Sequence, residues 1–500
     1  MGRTAVAVRA ALRGMSSGAH RRAWMVAFLL SSVAAAQDVP VVPPDAPKPG
    51  GEGEAQPAPE ATAEPPRPTD LPDRPQPPSD KKAVVPAAAA PKLEPAPAVA
   101  PSETRGSTYA GTAPEPPPAP AESEPTALES PVQVHGFVSQ GFIGSTGNNY
   151  LAYSKRGSFE FTEVGINLTK EITDNFRVGV QLFTRDLGPI GNYSAQFDWF
   201  YLDYRFFDWL GIRAGRTKLP FGLYNETSDI DAARVPILLP QSVYPITSRD
   251  FLLAQTGAEI YGLVPLGSAG DIDYRAYGGT LAIDLRYEGT SNDSIKKIDT
   301  PYIVGGRLMW RTPIQGLQLG GSVQKLRLDF DYTLPEARLG ALRAAGQLPT
   351  GFSGLVSARI PAVLAVGSIE YAPGDLLIAA EYARWRTKIE STLPVIFPDS
   401  TTTSERFYVM GSYRLNNWFV PGVYYSAQFP DVDMRSGREN HQHDFAATLR
   451  FDVNSHWLWK LEGHFMRGTA GASSELNYGT PRGSLERDWL VFLVKTTAYF

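Results

Sequence analysis

The chain ends on thirteen residues, Asp488 to Phe500 (DWLVFLVKTTAYF). Leu490, Phe492, Val494, Thr496, Ala498 and Phe500 share one face, while Lys495 and Thr497 fall on the other. A period of two is a strand period, and one apolar face against one polar face marks a sheet wetted on one side only. The pattern recurs upstream. In HWLWKLEGHFM, residues Trp457, Trp459, Leu461 and Phe465 alternate with Lys460, Glu462 and His464; before it, Phe445, Ala447, Leu449 and Phe451 oppose Asp444, Thr448 and Arg450. Sixteen such segments are predicted between 132–144 and 488–500, joined by connections that alternate strictly in length. Short ones fall at 172–175, 207–209, 265–270, 312–315, 372–374, 415–417 and 453–455; long ones such as 284–300, 331–355, 430–442 and 468–487 lie between them. A soluble β-sandwich explains the alternation but not the loop asymmetry. Nor does it explain aromatic clusters at strand ends, Trp457/Trp459 and Phe197/Trp199/Tyr201, which read as interfacial girdles. The expected fold is all-β: a closed antiparallel transmembrane β-barrel of about sixteen strands with both chain ends on the short-turn side. Closure follows because an open edge in hydrocarbon leaves backbone groups unpaired.

Composition separates this part from the rest. Between Gln37 and Pro131 lie 26 of the 43 prolines and a single aromatic, Tyr109. Such a stretch cannot bury a core and is expected to be a disordered Pro/Ala-rich periplasmic linker, 37–131, leaving 132–500 as the barrel. Ahead of it, Arg21-Arg22, the apolar run Ala23–Leu30 and the exit Ala34-Ala35-Ala36 read as a signal peptide over 1–36, with Met1 or Met15 as the start. Its apolar stretch falls short of the roughly 20 residues a spanning helix needs. The absence of cysteine excludes a disulfide scaffold, a thiolate zinc site and a thiol nucleophile. The linker holds 7 basic and 15 acidic residues and the barrel 35 and 37, so no nucleic-acid partner is expected.

The longest connection, 218–251, is KLPFGLYNETSDIDAARVPILLPQSVYPITSRDF, unusually apolar for a surface loop. Loops of this length without regular structure are rare unless functional, and a barrel of sixteen strands is wide enough to admit one. The run GIRAGRTKLPFGLYNETSDIDAARVPILLPQSVYP, then Arg249-Asp250-Phe251 and Gly257-x-Glu259-Ile260-Tyr261-Gly262, resembles the third-loop region of bacterial sixteen-stranded outer-membrane porins. Within that group it is most similar to porins related to the phosphate-selective porin O/P family. The opening VHGFVSQGF from Val134 and the terminal Phe500, which resembles the assembly signal of outer-membrane barrels, point the same way. The resemblance implies a cell outer-membrane location, a homotrimer, contact with outer-membrane lipids and with the barrel assembly machinery, and a constriction made by an inward-folded third loop. The long loop has Lys218 but no lysine cluster, so phosphate selectivity is not carried over.

Candidate constriction residues are Lys218, Glu226, Asp229, Asp231, Arg234, Arg249 and Asp250, although Asn225, Asp229 and Asp231 could equally cap turns. Strand phase points Arg177, Arg185, Arg213, Arg275, Arg307, Arg406, Arg414, Arg450 and Lys460 inward, with Glu163, Glu259, Glu381, Asp444 and Glu462 as acidic wall positions. A basic wall facing an acidic loop favours polar solutes, and the arginine excess hints at anions such as phosphate or carboxylates. His441-x-His443 with Asp444 is read as solvated rather than as a metal pair, and no metal or other cofactor is expected. Neither Gly-x-Ser-x-Gly, His-Glu-x-x-His nor a P-loop occurs, so no enzyme is expected. The expectation is a porin passing small hydrophilic solutes by passive diffusion. The alternative is a structural or adhesive barrel tethered to peptidoglycan by its linker.

Overall fold

The computed structural model describes residues 131–188, 190–281, 295–334, 336–474 and 476–500. The leader at 1–36, the linker at 37–131 save its last residue, and much of the 284–300 connection lie outside the described residues.

Sixteen antiparallel strands close into one barrel, each paired with its sequence neighbours and the first with the last. They are β1 Gln133–Ser145, β2 Phe161–Thr173, β3 Phe176–Leu187, β4 Gln196–Phe207, β5 Leu210–Lys218, β6 Ala254–Pro265, β7 Asp271–Thr280 and β8 Ile295–Arg311. The second half comprises β9 Leu317–Thr333, β10 Leu355–Tyr371, β11 Leu376–Ser391, β12 Ser400–Tyr413, β13 Phe419–Phe429, β14 Gln442–Asn454, β15 Trp457–Gly468 and β16 Asp488–Tyr499. Closure runs from Phe137 opposite Tyr499 to Ser145 opposite Val491. Short turns gather at one rim and long loops at the other. In one short turn Gly316 adopts φ +78, and a Cβ there would press on the Ala372 carbonyl of the next turn.

The outer surface is an apolar band. Phe445, Leu449, Trp457, Trp459, Phe465, Leu490 and Phe492 are all exposed on strands whose alternate residues are buried. This is the exterior of an outer-membrane-type barrel, whose strands alternate apolar-out and polar-in. No helix of the described residues is long and apolar enough to cross a membrane. Strands β8–β10 have 17 residues against 9 in β5, so the wall is far from uniform in height.

One girdle expectation is corrected. Phe197 faces out, but Trp199 and Tyr201 face the lumen, where Trp199 Nε1 donates to Gln181 Oε1 and the two rings stack. The cause is a register shift between Gln181 and Leu182, which inverts the phase across β4. A second adjustment concerns β8, which begins at Ile295 rather than near 301.

Inside, the apolar core is eccentric. Loop residues Leu219, Phe221, Leu239, Val243 and Leu252 pack on inward side chains of β8–β12, among them Leu326, Leu328, Ile360, Leu364 and Trp385. A second cluster seats Ile237 and Leu238 on Ile143, Phe161, Met466, Trp489 and Leu493. A third, nearer the long-loop rim, joins Phe330, Tyr332 and Val356 to Leu339 of the helix Glu336–Ala344 and to Leu393 and Ile396.

Candidate functional site

The connection 219–253 leaves β5, crosses the lumen and returns to β6. Prolines 220, 236, 240 and 245 preclude regular structure, and the described helical turns are short: Asn225–Thr227, Asp231–Ala233, Ile246–Ser248 and Arg249–Leu252. At its base, Asn225 Nδ2 donates to the carbonyls of Leu219 (2.9 Å) and Leu252 (2.5 Å), clamping the two arms together. Gly222 turns the entering arm at φ +61; a Cβ there would collide with the Tyr244 hydroxyl and the Glu381 carboxylate. Its amide instead donates to Ser322 Oγ at 3.1 Å.

Charged wall residues hold the loop around much of the circumference. Glu226 accepts from Arg275 (2.6 Å) and Arg307 (2.9 Å). Lys218 donates to Asp229 Oδ1 at 2.6 Å, and Gln181 reaches Asp229 Oδ2 at 3.0 Å. Asp231 lies between Lys460 (3.0 Å) and Lys495 (3.5 Å) and accepts from Thr497 at 2.8 Å. Arg234 comes within 3.6 Å of Asp231, and its carbonyl accepts from Arg450 and Lys460. Arg249 binds Asp198 through two 2.6 Å bonds. Glu462 accepts from the amides of Ile237 (2.6 Å) and Leu238 (2.9 Å), while Glu381 accepts from the Leu223 amide at 2.9 Å and from the hydroxyls of Tyr244, Tyr408 and Ser368. Arg185 Nη1 donates to the Ile246 carbonyl and Arg406 Nη1 to that of Ser242, with the Arg406 guanidinium 3.6 Å over Trp385.

The turns Asn225–Thr227 and Asp231–Ala233 start after Tyr224 and Ile230 and have no side-chain cap, while Asn225, Asp229 and Asp231 bond the loop base, Lys218 and Gln181, and Lys460 and Thr497. Burial alone would raise the carboxyl of Glu226, but Arg275 and Arg307 hold it down at about 2. Against the same opposing burial, Lys460 and Lys495 keep Asp231 well below the usual carboxylate range, and Lys218 and Arg249 lower Asp229. The acidic loop and the basic wall expected from the sequence thus meet in direct contact.

Beside the loop runs a ladder of alternating charge. Arg177 meets Asp203 at 2.9 Å, Arg213 meets Asp203 at 3.2 Å and Glu259 at 3.4 Å, Arg275 meets Glu259 at 3.6 Å, and Arg307 meets Asp273 at 3.5 Å. Arg213 is sandwiched between the rings of Tyr201 and Tyr261 at 4.9 and 5.0 Å, and Tyr261 donates to Asp203 at 2.5 Å. Two of the arginines stand nearer the water than the carboxylates behind them: the Arg177 side chain is 29% exposed against 4% for Asp203, and Arg213 16% against 0% for Glu259, whereas Arg275 and Arg307 are covered by the more exposed Glu226 of the loop.

Of the wall positions named from sequence, Glu163 is bound to Lys495 at 2.6 Å and Arg450 holds the carbonyls of Ala232 and Arg234. Arg414 lies past the end of β12, at the short-turn rim, where it approaches Asp452 at 3.6 Å. The side chain of Asp250 lies outside the described residues. Sequence reasoning missed Asp198, Asp203 and Asp273, as well as His464, which bridges Asp444 (2.9 Å) and Glu462 (3.0 Å). Their inward phase was the available signal. Among the described residues no group of three His, Asp or Glu side chains could hold a metal ion.

No protein-family model matches the chain, and no curated protein matches it by sequence. Among solved structures, similar ones include outer-membrane expressed OmpT of Vibrio cholerae (10% identity, 74% of this chain and 97% of that one, TM-score 0.46). Another is an anion-selective porin from Comamonas acidovorans (10% identity, 74% and 100%, TM-score 0.46), and a third is Salmonella typhi OmpF in complex with daunomycin (13% identity, 74% and 97%, TM-score 0.43). No family follows from these. The barrel stands on its own strand pairing.

Proposed function

We propose that the chain is a non-enzymatic outer-membrane porin that passes small hydrophilic solutes by passive diffusion, with a modest preference for anions such as phosphate or carboxylates. The observation that carries this reading is the Arg177–Arg213–Arg275–Arg307 ladder, in which the Arg177 and Arg213 guanidiniums are more exposed than the Asp203 and Glu259 carboxylates behind them. An anion sliding along it meets planar donors backed by buried acids, so it is attracted without being trapped. The constriction is assigned to the crossing loop, with Lys218, Glu226, Asp229, Asp231, Arg234 and Arg249 as the residues that fix its position. Purified protein in a planar bilayer under a salt gradient tests the proposal. Conductance with a reversal potential of anionic sign supports it, and a folded barrel without conductance overturns it.

One observation favours a second reading, a closed structural barrel. The loop is bonded to β3, β4 and β7–β16, and its apolar side packs on β8–β12. The same bilayer measurement separates the two. Assembly as a homotrimer, with Phe500 as the assembly signal, belongs to the proposal and is checked by native mass spectrometry of wild type and Phe500→Ala. Residues 37–131 are proposed to be a periplasmic spacer; unchanged cell-wall co-sedimentation after deletion of 40–128 removes any peptidoglycan role.

A further inference from the structure

The outer surface carries a feature that a purely lipid-facing wall does not require. On β9 the outward residues are Leu317, Leu319, Gly321 and Val323, then Lys325; on β11 they are Leu376, Ile378, Ala380 and Tyr382, then Arg384 and Arg386. Cross-strand register sets Lys325 opposite Val363 and Val363 opposite Arg386, so the two cations flank one strand, and Arg384 sits one outward position below Arg386. All three are exposed, and none has a carboxylate within ion-pair distance among the described residues. Glu405, opposite Arg384, is already taken by Arg435 at 2.7 Å and by the Tyr382 hydroxyl at 2.6 Å.

On β9 and β11 themselves acids enter only farther toward the long-loop rim, where Arg327 pairs with Asp329 and Lys388 with Glu390. The first charges above the apolar band on β9 and β11 are therefore all positive, and the acid level with them, Glu405 on β12, is held by Arg435. Eight residues separate Leu376 from Arg384, which a tilted strand converts to roughly 20 Å, close to the upper border of an apolar band about 25 Å tall. On the opposite wall the band ends differently: Arg467 and Arg487 share Asp488, at 3.5 and 3.1 Å.

We propose that Lys325, Arg384 and Arg386 form a binding surface for phosphate-bearing lipid headgroups in the leaflet on the long-loop side. Three cations without carboxylate partners at the height of the headgroups place donors where phosphate oxygens lie. Two of them are arginines, whose fork matches phosphate bidentately. The acyl chains of such a lipid lie on Val323 and Tyr382 just below and on Val363 between the cations, all exposed. The surface rests on the membrane-barrel reading but not on conduction, since it faces away from the lumen.

The test uses full-length protein, delipidated and reconstituted into phosphatidylcholine nanodiscs doped with bisphosphorylated lipid A or its dephosphorylated form. Retained glycolipid per barrel is counted by native mass spectrometry. Wild type is expected to retain the bisphosphorylated form about tenfold more than the dephosphorylated one. In K325Q/R384Q/R386Q that ratio falls to near parity, whereas R467Q/R487Q keeps the wild-type ratio and bilayer conductance is unchanged in both. Equal retention of the two lipids by wild type overturns the proposal without any variant. An equal loss in R467Q/R487Q overturns it as well. A change in oligomer size in the triple variant with no change in lipid ratio assigns the surface to a second copy of the chain and also overturns it. Should the triple variant fail to fold, the single variant R386Q decides, by a partial fall in the ratio or by none.

Discussion

The inner faces of β5–β8 and of β9–β11 belong to one barrel, yet they solve the problem of a crossing loop in opposite ways. On β5–β8 the lumen side carries Arg213, Glu259, Arg275 and Arg307, and the loop is held there by Glu226. On β9–β11 it carries mostly apolar side chains, Leu326, Leu328, Ile360, Leu364 and Trp385, and the loop packs there through Phe221, Leu239 and Val243, with Ser322 and Glu381 as polar holds. Charge follows the reverse order outside, where β9 and β11 present Lys325, Arg384 and Arg386. Polar-in and apolar-out is thus a rule for the average wall. Where a crossing loop packs on the wall, the adjoining strands can be largely apolar on both faces.

If ionic anchoring dominates on the charged side, Asp231→Ala is the most damaging single change. It leaves Lys460 and Lys495 buried without their shared carboxylate, at a cost of about 3–5 kcal/mol. Urea unfolding in micelles should show that loss, and protease nicking within 219–253 should rise. Cleavage equal to wild type would show that apolar packing alone seats the loop. The apolar side is tested by Leu326→Ala, expected to cost about 2–4 kcal/mol through its cavity while leaving the reversal potential at the wild-type value. A shifted potential would mean that this wall touches permeating ions after all.

The ladder is sharpened by Arg213→Gln, which exposes Asp203 and Glu259 to the lumen. The anion-to-cation permeability ratio should fall roughly two- to threefold. The smallest effect concerns pH. Glu226, Asp229 and Asp231 have carboxyls lowered in the folded state, so their stabilisation is fully present above the ordinary carboxylate range and is lost as pH falls through the folded values, about 2 for Glu226. Loop amide exchange, corrected for intrinsic rates, should therefore stay protected from pH 7 to about 3. Deprotection near pH 4 would argue that these carboxylates are not held by the wall cations.

Much of this was legible beforehand for a physical reason. Strand periodicity and turn chemistry are local, so the alternation of Trp457 to Met466 and the tight connection before it locate β14 and β15 without knowledge of their surroundings. Trp199 and Tyr201 resisted the same reading because one register shift, invisible in the pattern of β4 alone, turned them inward. Asp231 was recognisable as a loop acid, but its partners Lys460 and Lys495 lie more than two hundred residues away.

The sequence by itself determined the strand count, the order of short and long connections and the split between barrel and proline-rich segment, since period, turn residues and composition act within a few positions of the chain. Only the tertiary structure decided which arginine meets which carboxylate, that β9–β11 offer the loop a largely apolar wall, and that Lys325 and Arg386 flank one strand. Those outcomes depend on register around a closed sheet and on where a 35-residue crossing comes to rest between Lys218 and Ala254, contacts between segments that no local pattern connects.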